Sequence, residues 1–264
     1  MIGQPSTCSF IFSQLNSSRM DAPNKDIRLF ISSPMKTFFK NMLALLYPPL
    51  CASCGIQRPL DNHIFCLDCL HELPETGYHL HPQNPFEKHF RGRIDLKAGA
   101  AFLYFSRGGG TQRLLHQIKY NNQPDLITMI GRWYGKQLLQ SELWSDSDVV
   151  VPVPLHWKKQ RKRGYNQSAV FGDGIAEAMN IPCPKNVLKR ITHNKSLTGM
   201  KRFDRVETIG SSYILSNPKP VRHKNVLLVD DVLTTGSTLE ACANALAIAQ
   251  ISSLKMVTIA TGEL

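Results

Sequence analysis

The chain has 264 residues, 42% of them hydrophobic and 19% charged, a balance that excludes a wholly disordered, collagen-like or coiled-coil protein. No apolar run reaches the roughly 18 residues that a membrane span needs, so no membrane span is expected and the chain reads as cytoplasmic. The formal charge is +11. All of that excess sits between Lys158 and Lys224, which hold 15 basic and 4 acidic residues; the remainder has 16 of each. Such a block is either a solvated basic face or the surround of a polyanion.

Residues 1–34 are rich in Ser, Asn, Pro and Gln without a sustained period and read as a disordered leader. Met35 opens a better-patterned segment and is a candidate translation start. Phe38, Phe39, Met42, Leu45 and Leu46 follow helical spacing up to Pro48-Pro49. That helix either packs on the module after it or lies on a membrane surface. Cys51, Cys54, Cys66 and Cys69 form two CxxC pairs 11 residues apart. This spacing suits four thiolates around a structural Zn²⁺ with no open position for water. Two disulfides or four free thiols have the same count, but disulfides need an oxidising compartment and no signal peptide is visible. His63, inside the loop, is either a substitute ligand or a surface residue. Cys8, Cys183 and Cys242 are isolated, the last on an apolar helix face. Residues 35–73 therefore read as a helix plus a zinc-ribbon-like four-Cys module. Residues 74–94, with Pro74, Gly77, Pro82, Pro85 and Gly92, read as a linker.

From residue 95 to 264 the pattern is that of an α/β domain. Strands are expected at Ala98–Phe105, Val149–Val151, Val226–Val229 and Met256–Ala260. Helices are expected around Leu114–Tyr120, over Leu126–Leu143, over Gln167–Met179 after Asn166, and over Thr238–Ala249. Short all-apolar strands alternating with helices imply a parallel sheet covered on both faces.

The most informative run is Val226 to Leu239. Four apolar residues make a buried strand, with Asp230 and Asp231 at its carboxyl edge, where ligands of open α/β sheets bind. Thr234, Thr235, Gly236, Ser237 and Thr238 then lead into a helix. Backbone N–H groups at a helix start, with small hydroxyl side chains, can cradle a phosphate, and Gly236 lets the backbone come close. Carboxylates beside an anion site fit sugar hydroxyls next to that phosphate, so a ribose 5-phosphate is the implied chemistry. The run is not a Walker A loop, since no GxxxxGK[ST] is present.

The same run resembles the phosphoribosyl pyrophosphate (PRPP) signature of type I phosphoribosyltransferases. That resemblance implies that Asp230 and Asp231 hold the ribose hydroxyls and Thr234–Thr238 the 5′-phosphate. Val151-Pro-Val-Pro-Leu-His156 followed by Arg161-Lys-Arg-Gly-Tyr-Asn-Gln167 is similar to the ComF/GntX family. So are the four-Cys module, the Lys119-Tyr120 pair, and Arg190 followed by Thr198-Gly199 and Arg205. The resemblance covers residues 40 to 262, with one departure: Leu197 stands where the family usually has Gln. It implies a type I phosphoribosyltransferase-like fold, a pyrophosphate contact at Pro154, Leu155 and His156, and a mobile loop over the site around Arg190–Arg205. It also implies an association with competence and with uptake or use of external DNA.

In a type I enzyme, pyrophosphate leaves ribose C1 with Mg²⁺ held mainly by PRPP oxygens, and cations stabilise the developing charge. Lys158, Arg161, Arg163 and Arg205 are the candidates here. The chain ends at Leu264, just after the last expected strand, so no C-terminal acceptor hood is expected and the acceptor is unspecified. Three functions remain open: a phosphoribosyltransferase, a non-catalytic PRPP- or nucleotide-binding regulator, and a competence factor handling single-stranded DNA. The DNA reading draws only on Trp157, Tyr165 and Phe203 beside the basic clusters. A competence or DNA-processing protein is a further candidate partner.

Overall fold

The computed structural model describes residues 50–59, 64–120, 123–191 and 212–262. The leader, the helix expected at 38–46, His63, Leu197 to Gly199, Phe203 and Arg205 lie outside the described residues. Everything described belongs to one compact unit, Pro49–Leu264.

Four parallel strands form the central sheet: β1 (Ala98–Tyr104), β2 (Val149–Pro152), β5 (Asn225–Leu233) and β6 (Ser253–Thr261), in the order β1-β6-β5-β2. From Leu254 to Thr261 every residue of β6 is buried, Lys255, Thr258 and Thr261 included, so both faces of this inner strand are covered. A short antiparallel pair, β3 (Leu188–Arg190) and β4 (Tyr213–Leu215), stands apart. The carboxylates do not end the fifth strand. Its pairing with β6 runs on through Asp230↔Thr258 to Leu233↔Thr261, because Val232 and Leu233 continue the apolar run after two acidic residues.

The helices are α1 (Leu67–His71), α2 (Pro85–Phe90), α3 (Gly110–Tyr120), α4 (Pro124–Leu138), α5 (Glu142–Ser145), α6 (Trp157–Arg163), α7 (Gln167–Met179) and α8 (Ser237–Ala247). α7 lies on β2 and β5, and α4 packs against α7. Their crossing is close because glycines meet there. A Cβ on Gly131 would fall 2.4 Å from the Phe171 carbonyl, and one on Gly174 would fall 2.4 Å from the Thr128 carbonyl. α8 packs on β5 and on the β3–β4 pair. The single helix expected over Leu126–Leu143 is two, α4 and α5, joined by a turn in which Ser141 N–H donates to the Leu138 carbonyl.

Residues 74–94, expected as a linker, are folded onto the sheet. The Asn84 carbonyl oxygen caps α2 by accepting from Glu87 N–H at 3.1 Å, with Pro85 in the first turn, where its missing N–H costs nothing. The Asn84 amide donates to the carbonyls of Gly99 at 2.8 Å, His81 at 3.0 Å and Tyr78 at 3.1 Å. Phe86 and Phe90 are buried. Upstream, Glu75 bridges Leu103 antiparallel, and Tyr104 N–H donates to the Pro74 carbonyl, which covers the open edge of β1.

Candidate functional site

Asp230 points into the protein and is only 8% exposed. Its Oδ1 accepts from the Ser168 hydroxyl at 2.8 Å and from Asp231 N–H at 2.9 Å. Burial, and then the neighbouring Asp231 charge, push its carboxyl up to about 7, while the two hydrogen bonds and Lys119 pull the other way. Asp231 is more open, and its Oδ2 lies 3.6 Å from Lys119 Nζ on α3. The strand thus presents two adjacent acceptors, one of them tuned near neutrality by its surroundings.

Beyond them, Gly236 caps α8 with φ of +74°, a conformation that suits glycine. The loop rests on α2. His89 Nε2 donates to the Thr235 carbonyl at 3.1 Å, and a Cβ at Gly236 would meet Phe90 at 2.8 Å and His89 at 2.9 Å. The Thr235 and Ser237 hydroxyls lie 3.1 Å apart. Arg93, bonded to Glu240 at 3.0 Å and standing over the Phe90 ring, ties the end of α2 to α8.

An open pocket of about 700 Å³ is lined by Asp230, Asp231, Thr234, Thr238, Pro154, Leu155 and Arg163. Thr235, Gly236, Ser237, His156 and Arg161 are not among its lining residues. His156 instead caps α6, its Nδ1 accepting from Lys158 N–H at 3.2 Å. Arg161 and Lys158 are exposed on α6. Arg205 is outside the described residues.

The pocket also holds groups that sequence reasoning missed. Lys159 adds positive charge beside Arg190, which the sequence places at the start of a loop over the site and whose guanidinium stands 5.3 Å from the Tyr213 ring centre. The Asn166 amide donates to the Val153 carbonyl at 2.9 Å, fastening the turn after β2 to the start of α7. Gln167, the first residue of α7, is 1% exposed and lines the pocket. Its Oε1 accepts from Arg163 at 2.9 Å, while its Nε2 donor has no partner among the described residues. A buried unpaired donor is costly unless a water or a bound molecule meets it. The one advance signal was its place at the end of the Arg161–Gln167 motif.

At the other end of the described chain, the sulfurs of Cys51, Cys54, Cys66 and Cys69 lie within 4.8 Å of one another, and Cys54 and Cys66 are 3.9 Å apart. A tetrahedral S₄ site with metal–sulfur bonds of about 2.3 Å has edges of about 3.8 Å. Backbone N–H groups turn toward the sulfurs, Ser53 to Cys51 at 3.4 Å and Ile56 to Cys54 at 3.5 Å. The Gln57 and Ile56 N–H groups bring the Cys54 thiol down to about 6, whereas burial pushes Cys69 up to about 12. The donor set fits a metal ion. The module is fixed to the domain by Arg113, whose Nε donates to the Ser53 carbonyl at 2.6 Å, and by the edge of Phe65 on Trp133.

A phosphoribosyl transferase domain model matches residues 165–263. Competence protein F of Haemophilus influenzae is 31% identical over 133 residues, which are 48% of this chain and 57% of that protein. Competence protein ComFC of Bacillus subtilis is 23% identical over 198 residues, 75% of this chain and 71% of that one. These matches support membership of the ComF family. The fold of this chain is the type I phosphoribosyltransferase-like α/β fold, with the four-Cys cluster ahead of the domain. Among solved structures, the glutamine phosphoribosylpyrophosphate amidotransferase of B. subtilis gives a TM-score of 0.37 at 21% identity, covering 54% of this chain and 30% of that one. The DNA utilization protein YhgH of Escherichia coli is 24% identical over 136 residues, 50% of this chain and 59% of that protein. The match therefore spans under three-fifths of the Haemophilus and Escherichia relatives. In this chain the domain model starts at residue 165, so α3 and the turn after β2 complete the pocket from outside the matched range. No helix among the described residues is long and apolar enough to cross a membrane.

Proposed function

We propose that the pocket binds PRPP, or a related ribose 5-phosphate ligand, with Asp230 and Asp231 on the ribose hydroxyls and the Thr234–Thr238 loop on the 5′-phosphate. The turn at Pro154–Leu155, Arg163 and the start of α7 receive the pyrophosphate end. The observation that carries this reading is one pocket lined by both carboxylates, Thr234, Thr238, Arg163 and Gln167, whose Nε2 donor is buried and unpartnered among the described residues. Mg²⁺ enters with PRPP as the counter-ion of its oxygens. The four cysteines hold Zn²⁺ in a structural role, with all four positions taken by sulfur. The names of the Haemophilus, Bacillus and Escherichia relatives support a place in competence or DNA utilisation.

Calorimetry with PRPP and Mg²⁺ tests the reading. The wild type is expected to bind, and Asp230→Ala with Asp231→Ala to lose binding. No binding by the wild type overturns it. A second arm measures pyrophosphate release over a panel of acceptors. Release makes the protein a transferase, and binding without release makes it a PRPP-responsive regulator.

A further inference from the structure

The phosphate loop is held from outside the matched domain. Helix α2 lies well upstream of residue 165, where the domain model begins. Its His89 is half-buried, with Nε2 3.1 Å from the Thr235 carbonyl oxygen. A carbonyl only accepts, so Nε2 carries the proton. The imidazole is itself fixed. It meets the Phe90 ring edge-on, with ring centres 5.1 Å apart. The His89 carbonyl accepts from the Arg93 guanidinium, which is paired with Glu240 of α8. At the start of α2, Asn84 is tied to the Gly99 carbonyl of β1.

The carbonyl that His89 holds belongs to the peptide unit joining Thr235 to Gly236. That unit is trans, so its C=O and the Gly236 N–H point in opposite directions. Rotating the whole unit needs a large change of φ at Gly236, and glycine tolerates both signs of φ. Thr235 is exposed, so water can serve the carbonyl in either orientation. A fixed donor behind the loop breaks that balance. It draws the carbonyl toward α2 and sends the N–H away from it. No α2 residue lines the pocket, whereas Thr234 and Thr238, on either side of Gly236, do. We infer that His89 is a positioning residue for phosphate binding: by holding the Thr235 carbonyl, it turns the Gly236 N–H toward the 5′-phosphate before the ligand arrives. A donor already oriented costs nothing to reorganise when the anion binds. This inference rests on the ribose–phosphate reading and adds to it the residue that orients the loop.

The test measures PRPP binding with Mg²⁺ by calorimetry in three proteins. His89→Phe keeps a ring against Phe90 and removes the donor. His89→Gln puts an amide N–H close to where Nε2 stood. His89→Phe is expected to bind about five- to tenfold more weakly than the wild type, and His89→Gln to return to within about twofold of it, as the loss and recovery of one oriented donor predict. By NMR, the Gly236 amide proton is expected to move downfield when PRPP binds to the wild type and to His89→Gln, and much less in His89→Phe. Equal affinity in the wild type and His89→Phe, equal losses in both variants, or a Gly236 amide that PRPP leaves unmoved in the wild type overturns the positioning role and leaves the ribose–phosphate reading standing. Failure of the wild type to bind PRPP overturns that reading and the inference with it.

Discussion

The four-Cys knuckle and the Thr234–Thr238 loop are both tight backbone turns built to surround something charged, yet they hold their shape by opposite means. Around the knuckle the described burial is confined to a few residues, Ala52, Ser53 and Phe65 beside two of the cysteines. Cys51 and Cys66 are buried, but Ile56 and Leu67 are largely exposed, and α1 has no buried residue. Four thiols brought together without a cation gain little from one another. The loop is instead wedged from behind by His89 and Phe90, capped by a positive-φ glycine and followed by a helix with five buried residues. On the proposed function, the first turn would be templated by a metal ion and the second is preformed for a phosphate ligand.

The largest expected effect tests that contrast directly. A chelator strong enough to strip zinc, or Cys51→Ser with Cys66→Ser, removes binding energy on the order of 10 kcal/mol from the knuckle. Hydrogen exchange is expected to rise sharply over 51–71 while the amides of 225–247 keep their protection. Equal loosening of both regions would show that the loop also depends on the metal. A preparation with no stoichiometric metal would break the contrast from the other side. Next comes Gly236→Ala, which places a Cβ against Phe90 and His89 at a φ that alanine resists. A loss of about 2–4 kcal/mol is expected in denaturant unfolding, with the knuckle's metal retained.

Asp230 sharpens the loop side through pH. A carboxyl raised to about 7 in the fold binds its proton more tightly than the unfolded chain does. Wild-type stability therefore falls as pH rises from about 4 to about 7, by up to about 1.4 kcal/mol per unit. Asp230→Asn keeps an acceptor for Ser168 and removes the buried charge. It is expected to match the wild type near pH 4 and to exceed it by about 2–4 kcal/mol at pH 8. Parallel pH profiles for the two proteins would show that Asp230 is ionised without penalty.

How far these features were legible in the sequence follows from whether their signals are local. Helix α7 is found residue for residue, Gln167–Met179 after Asn166, and β5 is found from its four apolar residues. The Thr-Gly-Ser-Thr turn into α8 is equally local. Residues 74–94 read as a linker in the sequence because Pro85, Gly77 and Gly92 look like breaks. In the fold Pro85 starts a helix, Gly77 at φ of +66° precedes the short turn Tyr78–Leu80, and Gly92 at φ of +76° lies just past the helix end. The meaning of Asn84 lies in three carbonyls, one of them 15 residues away. Helix α6 was hidden in a basic run that has no apolar period; its two ends are set by His156 and by Gly164 at φ of +82°. Lys119 facing Asp231, and Gln167 with one satisfied and one unsatisfied end, are products of tertiary packing that no spacing announces.

The smallest expected effect bears on the part of the loop's support that the sequence hid. Arg93 joins α2 to α8 through Glu240 and stands 5.4 Å from the Phe90 ring centre, but both members of the ion pair are about one-third exposed. Arg93→Ala is expected to cost about 0.5–1 kcal/mol, and about half of that should vanish in 1 M salt, where only the ring contact persists. Combining Arg93→Ala with Gly236→Ala gives the sharper result. If α2 is the wall against which the loop is formed, loosening the end of α2 lets His89 and Phe90 yield to the new Cβ. The double variant then loses less than the two single losses added together. Simple additivity would mean that the Gly236 penalty comes from backbone conformation alone, and that the loop would keep its shape with α2 removed from behind it.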